Sequence, residues 1–144
     1  MAGIGRFEEI EAWKAGRALG REIYLITAGE PFSADWGLRS QMRGAVVSIM
    51  SNTAEGFERG GNNEFIQFLA LAKGSCGELR SQLYVALDNN YITQKEFERL
   101  SSMAIEISRI LAGLMSYLRQ SSFRGPKYKQ KNPRPPNPSA SPTE

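Results

Sequence analysis

The sequence predicts an all-α protein, an antiparallel up-down-up-down bundle of four helices within one domain. Three observations support this fold class. Four segments of about 20 to 28 residues repeat apolar side chains at the three- and four-residue spacing of an α-helix. The stretches between them are short and carry glycine, proline or helix-capping residues. No segment alternates polar and apolar residues as a strand does, and short connections favour helices that run up and down in turn.

The first predicted helix runs from about Phe7 to about Ala28. Gly29 is expected to end it in a left-handed conformation, and Pro31 prevents its continuation. Several residues share its predicted core face, with Ile10 at the edge: Trp13, Gly16, Leu19, Gly20, Ile23, Tyr24 and Ile26. Lys14, Arg17 and Arg21 form a basic stripe that borders this face.

The second predicted helix follows an N-cap at Ser33 or Asp35 and ends near the glycines at 56, 60 and 61. Its core face consists of Leu38, Met42, Ala45, Ile49 and Gly56. Val47 and Met50 lie on the opposite side of this helix. A helix that is apolar nearly all round is usually covered from two directions, so these two residues predict a subunit interface.

A polar stripe flanks the core face of the second helix and consists of Gln41, Ser48, Asn52, Glu55 and Arg59. These side chains could line a pore or a groove for a partner. They could instead connect helices to one another, with Glu55 bonded to Arg59 one turn further on. We prefer the second, structural interpretation, which predicts that Asn52→Ala lowers stability before it alters any binding.

The third predicted helix runs from an N-cap at Asn62 to about Asn90. Its core face consists of Phe65, Phe68, Leu69, Ala72, Cys76, Leu79 and Leu83. The single cysteine, Cys76, is expected to be a small buried side chain. A strip of small residues follows the back of the helix: Ala70, Gly74, Gly77 and Ser81. This strip either accepts a closely packed helix or is simply exposed, and the sequence favours neither alternative.

The fourth predicted helix has the clearest start signal in the chain. Thr93 and Glu96 match a capping box, and Ile92 with Phe97 matches a hydrophobic staple. The core face then consists of Leu100, Met103, Ala104, Ile107, Leu111, Leu114 and Leu118.

The composition changes abruptly after residue 121, where six of the seven prolines lie. We expect a folded domain over residues 1–121 and a disordered, basic, proline-rich tail over residues 122–144. Five of the 18 basic residues and one of the 15 acidic residues lie in the tail, so its net charge is +4 and that of residues 1–121 is −1. No apolar run is long enough for a transmembrane helix, and the N-terminus lacks a secretory signal. We therefore expect a cytoplasmic protein without membrane association.

The residues needed for most catalytic chemistry are missing. The chain has no histidine, which removes the commonest general base, the commonest metal ligand and the histidine-activated nucleophiles. No phosphate-binding or dinucleotide-binding glycine motif occurs. Glu55 alone among the carboxylates flanks a predicted core face, where a hydrogen-bonding role is the commoner one. We expect no enzymatic activity, no cofactor and no metal site.

The stretch from Trp13 to Leu83 resembles a known family. The matching elements are the spacing of Trp13, Gly16 and Leu19, then GL-x-x-Q-x-R from Gly37 to Arg43 and AVVSI-x-SN-x-AEG from Ala45 to Gly56. They continue with EF-x-x-FL from Glu64 and A-x-GS-x-x-EL-x-x-QL from Ala72. The chain is similar, over about residues 7 to 118, to small helical-bundle proteins first noticed as reading frames within bacterial 23S rRNA intervening sequences. Their relatives include the accessory variability determinants of diversity-generating retroelements.

This resemblance implies a four-helix bundle that assembles as a ring-like homopentamer. For the accessory proteins it also implies binding of nucleic acid and of a reverse transcriptase at a basic surface. Two departures matter. Gly44 replaces the second residue of a basic pair, which weakens any basic patch there. Gly61 replaces the serine that caps the third helix, so Asn62 is expected to take over the cap.

Two functions remain open. The first is a non-catalytic accessory protein that binds DNA or RNA through basic residues. The candidates are Lys14, Arg17, Arg21, Arg39 and Arg43 in the helices and Lys127, Lys129, Lys131 and Arg134 in the tail. The second is a homo-oligomeric scaffold for a protein partner, without nucleic-acid binding.

Overall fold

Four α-helices make up most of residues 3–121, the part of the chain that the computed structural model describes. They are α1 (Glu11–Ala28), α2 (Trp36–Arg59), α3 (Asn62–Asp88) and α4 (Gln94–Gln120). Short 3₁₀ turns, Phe7–Glu9 and Phe32–Ala34, precede α1 and α2. Residues 3–121 contain no β-strand. The predicted all-α class and the predicted number of helices are confirmed.

Each helix packs against the next one in the chain, and α4 also packs against α1. Gly16, early in α1, faces Ile49 of α2, whereas Gly20 faces the earlier residue Val46. The hydroxyl of Ser75 in α3 donates a hydrogen bond of 2.9 Å to Ser48 of α2. The core lies between the four helices. Its largest fully buried side chains are Phe32, Phe65, Ile10, Leu19, Ile23, Met42, Ile49, Leu69, Leu79, Leu83, Leu100 and Ile107.

The start signals of α2 and α4 are confirmed in atomic detail. A carboxylate oxygen of Asp35 accepts a hydrogen bond of 3.1 Å from the backbone N–H of Leu38. The Tyr91 hydroxyl donates to the other carboxylate oxygen at 3.0 Å, which raises the pKa of Tyr91. At α4 both bonds of the capping box between Thr93 and Glu96 are present. In each cap, the capping residue and the backbone N–H that it bonds lie within one turn of the helix start, so the cap can be predicted from the local sequence.

Two predicted helix caps are wrong, although α1 ends at Ala28 as predicted. Gly29 follows α1 in an extended conformation, with φ −89°, and its carbonyl accepts from Ser33 N–H instead of closing a left-handed cap. Asn62 does not cap α3, because the N-cap position is occupied by Gly61, which has no side chain to accept a capping hydrogen bond. The Asn62 side chain instead donates to the carbonyl of Leu118 at 2.7 Å, which ties the start of α3 to the end of α4.

The predicted core faces are mostly confirmed, and the main differences are in α1 and α4. α1 begins at Glu11 rather than near Phe7, since the extended backbone of Ile10 separates it from the preceding turn. Ile10 is fully buried rather than peripheral, and Met115 of α4 is an additional core residue. Tyr24, predicted to face the core, is 44% exposed.

The single cysteine is buried, as predicted, and burial raises the pKa of the Cys76 thiol to about 11. The thiol is therefore protonated at neutral pH and behaves as an apolar side chain. The small residues on the back of α3 are exposed in this single chain, and an added Cβ at Gly74 or Gly77 meets no atom within 4 Å.

Residues 122–144 lie outside the described residues, so the predicted tail and its cations Lys127, Lys129, Lys131 and Arg134 stay predictions. Among residues 3–121, none of the helices combines the length and the apolar character needed to span a bilayer.

Candidate functional site

Two adjoining depressions lie between α1 and α2, with volumes of about 310 Å³ and 400 Å³. Tyr24 and Val47 line both, so the depressions form one continuous surface feature, hereafter the α1–α2 groove. The residues that line it are Arg17, Gly20, Arg21, Tyr24, Trp36, Arg39, Ser40, Arg43, Gly44, Val46, Val47 and Met50.

Helical periodicity explains why these residues meet. On α1 the lining positions are 17, 20, 21 and 24, and on α2 they follow the same three- and four-residue spacing from 36 to 50. The α2 wall is therefore about 21 Å long, at about 1.5 Å per residue. Gly16 lets the two helices approach closely, because an added Cβ would lie 3.1 Å from a methyl carbon of Ile49.

The charge of the groove is one-sided. Four arginines line it, and no aspartate or glutamate does. Within residues 3–121, neither Arg21 nor Arg39 forms an ion pair, and Arg17 lies over the ring of Trp13 at 5.9 Å. Lys14 does not line the groove, and its ammonium lies 3.6 Å from the carboxylate of Glu11. The groove therefore offers unneutralised positive charge although the folded domain has a net charge of −1.

Arg43 differs from the other three arginines because it is held in place. Its Nε donates to the Thr27 hydroxyl at 2.9 Å, and its Nη2 donates to the Tyr24 carbonyl at 3.2 Å. Its guanidinium also stacks over the Tyr24 ring at 4.4 Å. The last turn of α1 contains no basic residue of its own, so Arg43 supplies the cation that favours the negative end of that helix.

Replacing Arg43 with methionine should lower the free energy of unfolding by about 1–2 kcal/mol, because two charge-assisted hydrogen bonds to α1 are lost. The matched control is Arg39→Met, which removes the same charge from the same groove. The side chain of Arg39 makes no hydrogen bond within residues 3–121. We expect the control to change stability by no more than about 0.5 kcal/mol. Urea unfolding followed by circular dichroism measures both. Equal effects of the two substitutions would contradict a clamping role for Arg43.

The predicted interface residues Val47 and Met50 lie on the floor of this same groove. Val47 is 45% exposed, and Met50 is half-buried. The sequence predicted a subunit contact for Val47 and Met50 and nucleic-acid binding for the arginines. The fold places them on one surface, which can serve a subunit contact or an anionic ligand but not both at once in one copy.

The polar stripe of α2 lies along the seam with α3, away from the groove. Ser48 accepts from Ser75 of α3 and from the side chain of Asn52, both at 2.9 Å. Asn52 also donates to the backbone carbonyl of Ser48, one turn earlier. Glu55 accepts from Arg59 at 2.9 Å, and Arg59 lies over the ring of Phe68. These bonds connect neighbouring turns and helices, while Gln41 at the far end of the stripe is exposed.

The aromatic part of the groove was not predicted from the sequence. Trp36 is the first residue of α2 and is 69% exposed, and Tyr24 lines the groove rather than the core. Tyr24 was obscured because apolar residues at helical spacing are normally assigned to the interior. A signal for Trp36 existed, since it follows directly on the N-cap candidate Asp35, ahead of the predicted core face. The described residues contain no cluster of three metal-ligating side chains.

Comparison with known proteins places the chain in a family. The family model described as "23S rRNA-intervening sequence protein" matches residues 8–113. A crystal structure of a protein of unknown function from the S23 ribosomal protein family of Bacteroides thetaiotaomicron superposes with a TM-score of 0.66 and 20% sequence identity. The match covers 72% of this chain and 97% of that one, and it shows a shared fold. The comparison with curated proteins yields no match. The chain belongs to the 23S rRNA-intervening sequence protein family.

Proposed function

We propose that this protein is a non-catalytic accessory protein that binds nucleic acid in the α1–α2 groove. The observation that carries this proposal is the set of four arginines that line the groove without any carboxylate. A guanidinium presents several donors in a plane that matches phosphate oxygens, and arginine keeps its charge at any physiological pH. Phosphates would therefore bind here in preference to the other surfaces of a domain whose net charge is −1.

Such binding would be ionic and largely independent of sequence. Each phosphate that an arginine neutralises releases counterions, so affinity falls steeply as salt is raised. The groove itself supplies four cations, and Arg43 is already oriented by its bonds to Thr27 and Tyr24. One copy would bind weakly, and several copies in one assembly would bind one strand tightly through avidity.

We further propose an antiparallel up-down-up-down bundle that assembles as a ring-like homopentamer, with a reverse transcriptase as its protein partner. The opposite order of contacts along α1 and α2 supports the antiparallel arrangement. The ring and the polymerase partner follow from the resemblance to accessory variability determinants. On α3, exposed Leu71 and Val85 lie on one face and provide an apolar surface for subunit contacts that leaves the groove free.

The second candidate function is a homo-oligomeric scaffold without nucleic-acid binding, in which another copy covers the groove. The exposure of Val47 beside Tyr24 favours it, since both would be buried by such a contact. Val47→Glu separates the two candidates. It should split the assembly if the groove is a subunit interface. If the groove binds nucleic acid, it should weaken binding without changing the mass measured by sedimentation.

The proposed function is tested by binding of labelled single-stranded and double-stranded DNA and RNA at low and moderate salt. The full chain is compared with a chain that ends at Ser121 and lacks the tail cations. We expect both to bind at low salt and both to lose affinity steeply as salt rises. Binding that disappears with the tail would place the activity in residues 122–144. Absence of binding at low salt would refute the proposal and favour the scaffold.

A further inference from the structure

Trp36 is the most unusual residue in the groove. It is the first residue of α2, directly after the N-cap Asp35, and 69% of its side chain is exposed. A tryptophan ring has a large apolar area that is normally covered by protein or ligand. Its neighbours along the groove wall are Arg39 and Arg43, one and two turns further along α2.

A second aromatic ring lies in the same depression. Tyr24 of α1 lines the same depression as Trp36, is 44% exposed, and carries the Arg43 guanidinium over its ring at 4.4 Å. This end of the groove therefore combines two accessible rings with two cations. The other end, around Arg17 and Arg21, has cations above an aliphatic floor of Val46, Val47 and Met50.

This combination distinguishes between forms of nucleic acid. A duplex offers its phosphates to a protein, but its bases are stacked inside and cannot lie on an aromatic side chain without being unpaired. Proteins that bind single strands pair a cationic groove with aromatic rings on which bases stack. Arginines alone would serve either form, whereas an exposed tryptophan among them gains contact area only with unpaired bases.

Building on the proposed function, we propose that the groove selects single-stranded nucleic acid, with one unpaired base stacked on Trp36. Arg39 and Arg43 would hold the phosphates next to that base, and Arg17 and Arg21 would hold the strand where it continues along the groove. The competing occupant is a second copy of this chain whose surface covers Trp36, and the test separates the two.

The experiment uses the intrinsic fluorescence of Trp36. The chain has two tryptophans, and Trp13→Phe leaves Trp36 as the only one. This full-length variant is titrated with a single-stranded oligonucleotide, with a duplex, and with an abasic single strand of equal length and charge. We expect saturable quenching by the base-bearing strand alone. The abasic strand should bind more weakly and leave the fluorescence unchanged, because it offers the same phosphates without the aromatic bases.

Affinity measurements on otherwise wild-type protein complete the test and do not depend on the Trp13 variant. Trp36→Ala should reduce affinity for the single strand about tenfold and affinity for the duplex little. Trp36→Phe, which keeps an aromatic ring, should retain most of the binding. Equal affinity for base-bearing and abasic strands would overturn the stacking inference while leaving phosphate binding in the groove intact. A Trp36→Ala protein of smaller assembly size with unchanged affinity would overturn it in favour of a subunit contact.

Discussion

Reversing Arg17 and Arg21 to glutamate should lower the affinity of the full chain for a labelled single-stranded oligonucleotide about a hundredfold at low salt. Each substitution removes a cation that we propose binds phosphate and adds a repulsive carboxylate in the same groove. The slope of affinity against salt concentration should also become shallower, since fewer counterions are released. Fluorescence anisotropy across a salt series measures both quantities.

The matched control reverses Lys73 and Arg80, two exposed residues of α3. The double variant has the same net charge as the Arg17 and Arg21 variant but leaves the groove unchanged. We expect its affinity at about 0.1 M salt to stay within about threefold of wild type, because exposed charges outside the groove are screened over a Debye length of about 10 Å at that salt concentration. Equal losses in the two double variants would show that overall charge, rather than the groove, governs binding.

Replacing Gly56 with alanine should lower the free energy of unfolding by about 3 kcal/mol, at the upper end of overpacking effects. The position lies where α2 is in close contact with α3. An added Cβ would lie 2.6 Å from the Cβ of Phe68 and 3.1 Å from a ring carbon of Phe65. A Cβ atom so close to the helix cannot be moved by a change of rotamer, so the two helices must separate. Urea or thermal unfolding measures the loss.

Gly74→Ala is the matched control for this substitution. Gly74 also lies within a helix, but an added Cβ there meets no atom within 4 Å. Alanine should therefore raise stability by about 0.5–1 kcal/mol through its higher helix propensity. A stabilising effect of Gly56→Ala would contradict the close approach of α2 and α3. A destabilising effect of Gly74→Ala would indicate that another chain covers this face of α3 in solution.

The features of the fold that were predictable depend on residues close together in the sequence. The capping box between Thr93 and Glu96 can be recognised from the first turn of α4 alone, and the core faces can be recognised from helical spacing. Asn62 shows the limit of such reasoning. Its sequence context suits a cap, but the tertiary structure brings the carbonyl of Leu118 within 2.7 Å, and the side chain bonds there. The position of a residue 56 places away cannot be read from local pattern.

The candidate site was predictable in part for the same reason. The arginines stood out as single residues, and Val47 and Met50 stood out as apolar residues on the side of α2 opposite its predicted core face. Their assembly into one groove depends on how α1 is rotated about its axis against α2, which the sequence pattern leaves open. The same rotation exposes Tyr24, whose spacing placed it on the core face. Periodicity assigns a residue to a face of a helix but does not decide what covers that face.

The most direct test of nucleic-acid binding in the α1–α2 groove is photocrosslinking. A single-stranded oligonucleotide with a photoreactive base is bound to the full chain and irradiated, and the attached residues are identified by mass spectrometry. We expect crosslinks at Trp36 and Tyr24, the exposed rings of the groove, and their loss in the Arg17 and Arg21 double variant. Crosslinks confined to residues 122–144 or to α3 would contradict binding in the groove.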